Sequence, residues 1–489
     1  MPTLPTSTAT ASDPDIGTAL NGLLSKQRTA QLRDGAPSVE LRKDRLNRCI
    51  ALLVDYRGEI EAALNTDFGA RSRQVTAFTD VAASIGPLKY ARDHVAKWMR
   101  TERRATSPRI LWLFGARAEI RCQPKGVVGV ISPWNFPVNL TFAPLAGVIA
   151  AGNRAMIKPS ELTPATSELL KKMFASAFDE EEIAVVTGGP EVGQAFSSLA
   201  FDHLIFTGAT SIGRHVMRAA AENLVPVTLE LGGKSPVVIG RSADLATAAA
   251  RIMNGKTLNA GQICLAPDYV LAPADRMGAF VEEAKASVGR MFPTIRENPD
   301  YTAIVADRHY ARLMGYVDDA RAKGAEIIEI NPAGEDLRQQ PHRRIPPTLI
   351  LNPTDDMKVM QEEVFGPLLP IKGYQKVDEA IHYINAHDRP LGLYYFGTDN
   401  AERDRVLDLT TSGGVTVNDV VMHVAQEELP FGGIGPAGMG AYHGYDGFRE
   451  FSHRKSVFHQ MKKDIGPLRM LRPPYGAGIA RFLATQIKR

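Results

Sequence analysis

Three side chains in this sequence have the chemistry and the local setting to act on a carbonyl group. Cys264 lies in NAGQICLAPDYVL, where a Gly-Gln turn ahead of an apolar run offers a sulfur at a cleft edge. Glu230 lies in VTLELGGKSPVVI, just before a Gly-Gly turn. Asn135 lies in VISPWNFPVNL, between Trp134 and Phe136 in a proline-bounded loop. A thiol supplies a nucleophile, a carboxylate a base, and an amide a donor for a developing oxyanion. Each also has a plainer reading. A thiol is often buried and inert, as expected for Cys49 and Cys122. A glutamate at a strand end is often a surface carboxylate, and an Asn in a loop often does turn chemistry.

The three lie far apart in sequence, so a fold of some size must gather them. From Ser38 to about Thr101 the chain reads as helical, with apolar residues at helical spacing in LRKDRLNRCIALLVDYRGEIEAALNTDFG. ILWLF and RAEIRC flank Gly115 and predict a β-hairpin. VVGVIS, RAMIKPS, IAVVTGG and HLIFTG then read as short buried strands, with TPATSELLKKMFASAF and SIGRHVMRAAAENL as helices between them. Such alternation predicts a parallel doubly wound sheet that binds ligands beyond the carboxyl ends of its strands. A second α/β block starts near Gly232. Its strands are PVVIG, DYVLAP, AEIIEI, FGPLLPIKGY, LGLYYFGT and GGVTVND; its helices are DLATAAARIMNG, RMGAFVEEAKASVG, RHYARLMGYVDDARAKG and KVDEAIHYINA. Gly232-Gly233 is a natural hinge between the blocks. At the end of the chain, Ile479, Phe482, Leu483 and Ile487 share one helix face. A tail helix docked on its own subunit or on a partner is expected.

Composition bounds the function classes. A chain of 489 residues implies two or three structural units, and 44% hydrophobic with 23% charged residues is ordinary for a soluble enzyme. A formal charge of +3 gives no reason to expect a nucleic-acid partner. Three well-separated cysteines fit a reducing compartment, and no Cys-x-x-Cys or Cys/His cluster calls for a metal. MPTLPTSTATASDPDIG has no apolar core, and Asp13 and Asp15 precede any basic residue. It reads as a disordered arm over 1–16, with no targeting signal. No apolar run of about eighteen residues appears, so no membrane span is expected and a cytoplasmic enzyme is the default.

HLIFTGATSIG combines a strand, a glycine turn and a helix start, with Gly208 and Gly213 in the turn and first helical turn. Free N–H groups and a positive dipole end there suit a pyrophosphate. It is not the G-x-G-x-x-G fingerprint, and by itself such a turn is more often just a tight connection. AMIKPSELTP sets Lys158 and Glu161 at a strand end, placed either for a ribose or simply in solvent.

The run of motifs PWNFP, IKPSE, FTGATSIG, LELGGK, GQIC, EEVFGP and LPFGGIGPAGMG resembles the aldehyde dehydrogenase superfamily in order and spacing, from about Arg42 to about Phe458. WNFPVNL with TFAPLAG, GQICLAPDYVL and GMGAYHGYDGFREFSHRKS is similar to its class 3 branch, and within it to coniferyl aldehyde dehydrogenases. The resemblance implies two doubly wound α/β domains plus a small β oligomerisation domain. A dinucleotide-binding domain would span 17–106 and 125–231, and a catalytic domain 232–449. Oligomerisation segments would lie at 107–124 and 450–460, with a C-terminal tail at 461–489. It implies NAD(P)-dependent oxidation of a small aldehyde to an acid, an aromatic one such as coniferyl aldehyde, by a homodimer.

Carried over residue by residue, the resemblance makes Cys264 the nucleophile, Asn135 the oxyanion amide and Glu230 the general base. Trp134, Lys158, Glu161, Gly208, Gly213, Glu363 and Phe365 would contact the cofactor, with NAD expected and NADP possible. Ala209 stands where relatives often carry Ser, which implies looser phosphate contact at that point. Glu230 argues against a CoA-acylating relative, which commonly lacks this residue. The aromatic and imidazole rings of Trp134, Phe136, Tyr442, His443 and Tyr445 read either as a substrate channel or as core and turn residues.

Overall fold

The computed structural model describes residues 14–107, 109–462 and 466–487. Most of the expected N-terminal arm lies outside them; residues 14–16 open a helix, Pro14–Asp34. In chain order the strands are β1 (Glu102–Arg104), β2 (Arg117–Pro124), β3 (Val127–Ile131), β4 (Arg154–Lys158), β5 (Ile183–Val185), β6 (His203–Gly208), β7 (Val227–Leu231) and β8 (Pro236–Ile239). They continue as β9 (Tyr269–Pro273), β10 (Glu326–Glu329), β11 (Thr348–Leu351), β12 (Leu368–Tyr374), β13 (Gly392–Phe396), β14 (Gly414–Val417), β15 (Gly438–Met439) and β16 (Ser452–His459).

Two of the three sheets belong to one compact unit, which runs through Trp98 and from Pro124 to Ser452. The first has the order β15-β7-β6-β3-β4-β5, parallel except for β15. The second has the order β10-β11-β12-β9-β8-β13-β14, parallel except for β10. Both are doubly wound, as the strand-helix alternation predicts. The second sheet shows why its strands read as unbroken apolar runs. Tyr269, Leu271, Leu368, Leu393 and Tyr395 enter one core cluster, while their neighbours Val270, Ala272, Leu369, Tyr394 and Phe396 enter another. Successive side chains point to opposite faces, and both faces are covered by helices.

The second compact unit comprises Met99–Gln123 and the chain from His453 onward. Its three-stranded sheet has the order β1-β2-β16. Leu111, Ala116 and Met461 pack together with Leu468 in a small core, and Arg454 pairs with Glu102 at 3.2 Å. Here one expectation is corrected. ILWLF is not a strand: Arg109–Phe114 is a 3-10 helix, and the antiparallel partner of β2 is β1. Packing of Leu111 under a tight turn leaves Trp112 and Leu113 exposed instead of alternating across a ladder. The tail does form a helix, Ala477–Gln486, but none of its residues is buried. Phe482 and Leu483 are 39% and 43% exposed, while Gly478 lies close to Met470. No helix among the described residues is long and apolar enough to cross a membrane.

Two-sided burial has a direct test. Leu368 and Leu369 are adjacent, fully buried and on opposite faces of β12. Leu368→Ala and Leu369→Ala are each expected to cost about 2–5 kcal/mol, read as a lowered denaturation midpoint. A sheet open on one face would leave one of the two near neutral.

Candidate active site

The segment that delivers Cys264 leaves helix Leu245–Thr257 through three consecutive left-handed residues, Asn259 (φ 50°), Ala260 (φ 52°) and Gly261 (φ 73°). A side chain at Gly261 would meet the Gly366 carbonyl at 2.3 Å, so only glycine fits. The fully buried Gln262 holds this path in place. Its Nε2 donates to the carbonyls of Asn259 (2.9 Å) and Ala303 (3.1 Å), and its Oε1 accepts from the Val305 N–H (3.0 Å). Cys264 follows, half-buried, with its sulfur accepting from its own N–H and that of Leu265. Burial, then the charges of Glu363 and Glu230, push the thiol up to about 12, against the two N–H groups.

Glu230 is the penultimate residue of β7 and is 3% exposed, with no hydrogen-bond partner on either carboxyl oxygen. Burial pushes its carboxyl well above the usual range, and the charge of Glu450 adds to this. Two residues earlier, Thr228 donates to Glu450 Oε1 at 2.7 Å and lies 2.7 Å from His203 Nε2. His203 Nδ1 accepts from Lys125 at 2.9 Å, and burial lowers this imidazole to about 3. Asn135 is 3% exposed, and its Nδ2 donates to the Gln262 carbonyl at 3.1 Å. An amide nitrogen has a second hydrogen for another acceptor.

Cys264, Glu230, Asn135, Trp134, Gly208, Glu363 and Phe365 all line one cavity of about 860 Å³. It lies beyond the carboxyl ends of β3, β6 and β7, where an open parallel sheet receives a ligand. Gly208 ends β6, and a side chain there would strike the Phe206 ring at 2.6 Å. Helix Thr210–Ala221 begins at once, with Ala209 at its cap making no side-chain hydrogen bond. Its first N–H groups therefore face the cavity without a side-chain acceptor. Trp134 meets Phe365 edge-on at 5.3 Å and His309 at 5.1 Å.

Glu363 folds onto the Gly-Gly turn. Its carboxylate would clash with any side chain at Gly232, at 2.2 Å, and accepts from the Gly233 N–H. Burial, then Asp268, raise it to about 8. Lys158, Glu161 and Gly213 stand outside the cavity lining. Lys158 donates to Glu161 at 3.2 Å. Gly213 lets its helix approach β7, since a side chain there would meet Leu231 at 2.7 Å.

Sequence reasoning passed over several residues that build this site. Gln262 is one. Lys234 is another: it donates to Asp268, to the Val359 carbonyl (2.8 Å) and to the Glu362 carbonyl (2.9 Å). Asp268 accepts from the Val364 N–H (2.8 Å), and Arg312 donates to the Val364 carbonyl (2.9 Å). These bonds fasten the loop that carries Glu363 and Phe365. Lys234 and Asp268 lie inside the quoted runs VTLELGGKSPVVI and GQICLAPDYVL, so position in those runs was the available signal. Of the rings weighed for a channel, Trp134 lines the cavity, while Phe136, Tyr442 and His443 are buried and Tyr445 stacks on Phe448 near the surface.

Comparison with known proteins gives the family. The model of the aldehyde dehydrogenase family matches residues 19–457. The chain is 74% identical to the "Probable coniferyl aldehyde dehydrogenase" of Caulobacter vibrioides, over 96% of this chain and 97% of that one. It is 54% identical to the coniferyl aldehyde dehydrogenase of a Pseudomonas species, over 95% and 96%. The substrate-bound structure of Staphylococcus aureus AldH superposes with a TM-score of 0.88 at 36% identity, covering 95% of this chain and 99% of that one.

The electrostatics of the thiol can be titrated directly. Alkylation at Cys264, followed against pH by mass spectrometry, is expected to reach half-maximal rate at more alkaline pH than a free thiol, whose pKa is about 8.5. Glu363→Gln and Glu230→Gln each remove a negative charge that raises the thiol, so each should move that midpoint down. A midpoint at or below the free-thiol value in the unaltered protein would contradict the environment described.

Proposed function

The chain belongs to the aldehyde dehydrogenase family, whose members oxidise aldehydes with NAD(P), and we propose that it converts an aromatic aldehyde such as coniferyl aldehyde to the acid through covalent attachment to Cys264. The substrate reading rests on the high identity to coniferyl aldehyde dehydrogenases along nearly the whole chain. The chemistry rests on one observation: a half-buried thiol, a buried carboxyl without a partner and a loop-held amide border a single cavity.

The residues fit a dinucleotide. Gly208 lines the cavity beside the start of helix Thr210–Ala221, and the N–H groups that follow suit a pyrophosphate. Glu363 would accept from ribose hydroxyls, and Trp134 and Phe365 would flank the nicotinamide end. Lys158 and Glu161 are proposed for the adenosine ribose, and Gly213 for close packing of the helix that holds the phosphates. When bound, the nicotinamide supplies a hydride acceptor that takes the carbon held on sulfur to the thioester level.

The chain's own groups perform the rest. Glu230, directly or through a water, takes the thiol proton, and Cys264 Sγ attacks the aldehyde carbon. The oxyanion then accepts from the Cys264 N–H and from Asn135 Nδ2. Glu230 passes the thiol proton to solvent before hydrolysis; at the thioester stage it takes a proton from water, whose oxygen attacks the carbonyl carbon. The tetrahedral adduct collapses to the acid, and the leaving thiolate regains its proton.

We read the assembly as a cytoplasmic homodimer. β16 lies at an edge of its sheet and offers unpaired backbone groups for a partner strand, and the three cysteines form no disulfide.

Cys264→Ala is expected to abolish turnover while retaining dinucleotide binding, measured by fluorescence titration. Glu230→Gln is expected to lose both the rapid first burst of NADH and steady turnover, because the base for the thiol and for the water is removed. A retained burst followed by slow turnover would mean that the thiolate forms without Glu230. A panel of aldehydes assayed with both cofactors tests the specificity. Coniferyl aldehyde is expected to exceed aliphatic aldehydes in kcat/KM. NAD is expected to exceed NADP, because Glu161 opposes a 2′-phosphate of like charge. An aliphatic preference would sink the substrate reading, and an NADP preference the role of Glu161.

A further inference from the structure

Arg71 and Asp80 are both completely enclosed, with no side-chain exposure, and pair at 2.6 Å through Arg71 Nη2 and Asp80 Oδ2. The pair grips the Asn135 loop at two points. Arg71 Nη1 donates to the Asn135 carbonyl at 2.8 Å. Asp80 accepts from the N–H groups of Val138 and Asn139, where helix Asn139–Ala150 begins. The guanidinium lies between the Phe68 ring at 4.6 Å and the Phe136 ring at 5.2 Å. Asp80 sits in a π-helical turn, Ala77–Ala82, a rare irregularity that re-aims a side chain within a helix.

A pair buried this deeply is a poor source of stability, because desolvating both ions offsets most of their attraction. Its geometry points elsewhere. The Asn135 carbonyl also accepts from Asn259 Nδ2 at 3.2 Å, and Asn259 belongs to the segment that delivers Cys264. Asn135 Nδ2 in turn donates to Gln262 of the same segment. Asn135 is thus the joint between the amide loop and the thiol loop, and Arg71 supplies the charged member of the bonds that fix its backbone. Arg71 does not line the cavity.

We propose that Arg71, clamped by Asp80, is a positioning residue for the reaction: it holds the Asn135 backbone so that the side-chain amide faces the oxyanion next to Cys264. The inference rests on the reading of Asn135 as the oxyanion donor. Misplacing a catalytic group by about 1 Å costs on the order of 100-fold in rate.

A kinetic double-mutant cycle with Arg71→Met and Asn135→Ala tests it. Arg71→Met is expected to lower kcat by about 10- to 100-fold, with dinucleotide affinity unchanged. In the Asn135→Ala background the same change should lower kcat by less than about twofold, because the group it positions is gone. A structural role would give equal losses in both backgrounds, and that result would overturn the proposal. So would an unchanged kcat in Arg71→Met. Should Arg71→Met not fold, Arg71→Lys takes its place: one ammonium retains the charge beside Asp80 but lacks the fork that serves both partners. It is then expected to show the same non-additive loss of kcat, and full activity in it would overturn the proposal. If Asn135→Ala itself retains full kcat, the reading of Asn135 falls first and the proposal with it, a pattern distinct from equal losses.

Discussion

A loop that carries a thiol into a buried cleft must hydrogen-bond its own backbone on the way, and the rest of this site depends on how that is done. Here the chain passes through left-handed geometry at Asn259 and Ala260, which disfavours side chains by about 1–2 kcal/mol per residue. The amide of Gln262 has a donor end and an acceptor end, and both are used to tie the loop to residues 303–305. Asn259 and Asn135 then close the path from the other side. Were these bonds lost, Cys264 would leave the N–H groups at its sulfur and Asn135 would lose its anchor together with it. The facing loop follows the same rule. Lys234, Asp268 and Arg312 spend their polar ends on the backbone around Glu363 and so fix Phe365 against Trp134.

Much of the architecture was legible because strands buried on both faces leave a plain mark. The apolar runs of β8, β9, β12 and β13 and the intervening helices lie where the alternation places them. Strand β11 was not legible: Thr348–Leu351 is only four residues long and follows Pro346 and Pro347, which signal a turn. Arg109–Phe114 misled for the opposite reason. Its apolar content looked like a strand, but among its described side chains only Leu111 is buried, and a 3-10 turn achieves that without a ladder.

Among the site residues, legibility followed chemistry. Cys264, Glu230 and Asn135 stand out by residue type beside glycine and proline turns, and all three line the cavity. Gln262, Arg71 and Asp80 do not stand out. A buried glutamine, or an arginine and an aspartate in a charged helical stretch, looks like ordinary solvated surface until the partner from elsewhere in the chain is in place. Lys158 and Glu161 were read from their position at the end of β4, yet they bond to each other outside the cavity lining. What a strand end can reach depends on the crossing helix, and that is a tertiary property.

Burial acts in the same sense on the thiol and on the base, and this does not by itself favour proton transfer between them. With ordinary values a thiol near 8.5 giving its proton to a carboxylate near 4.3 faces about 6 kcal/mol uphill. Raising both leaves that gap in place. The difference lies in which group has hydrogen bonds. The sulfur of Cys264 accepts from two N–H groups, which favour the thiolate, whereas both oxygens of Glu230 have no donor at all. A carboxyl without donors for its ionised form, facing Glu450, holds its proton more tightly than its burial alone would require. The orphaned carboxyl is therefore a stronger base than an ordinary carboxylate, and the gap narrows from the side of Glu230. Once sulfur has bonded to carbon it no longer needs those donors. The Cys264 N–H that stabilised the thiolate is then free for the oxyanion, where Asn135 joins it, so one fixed dipole serves two anions in succession without reorganisation.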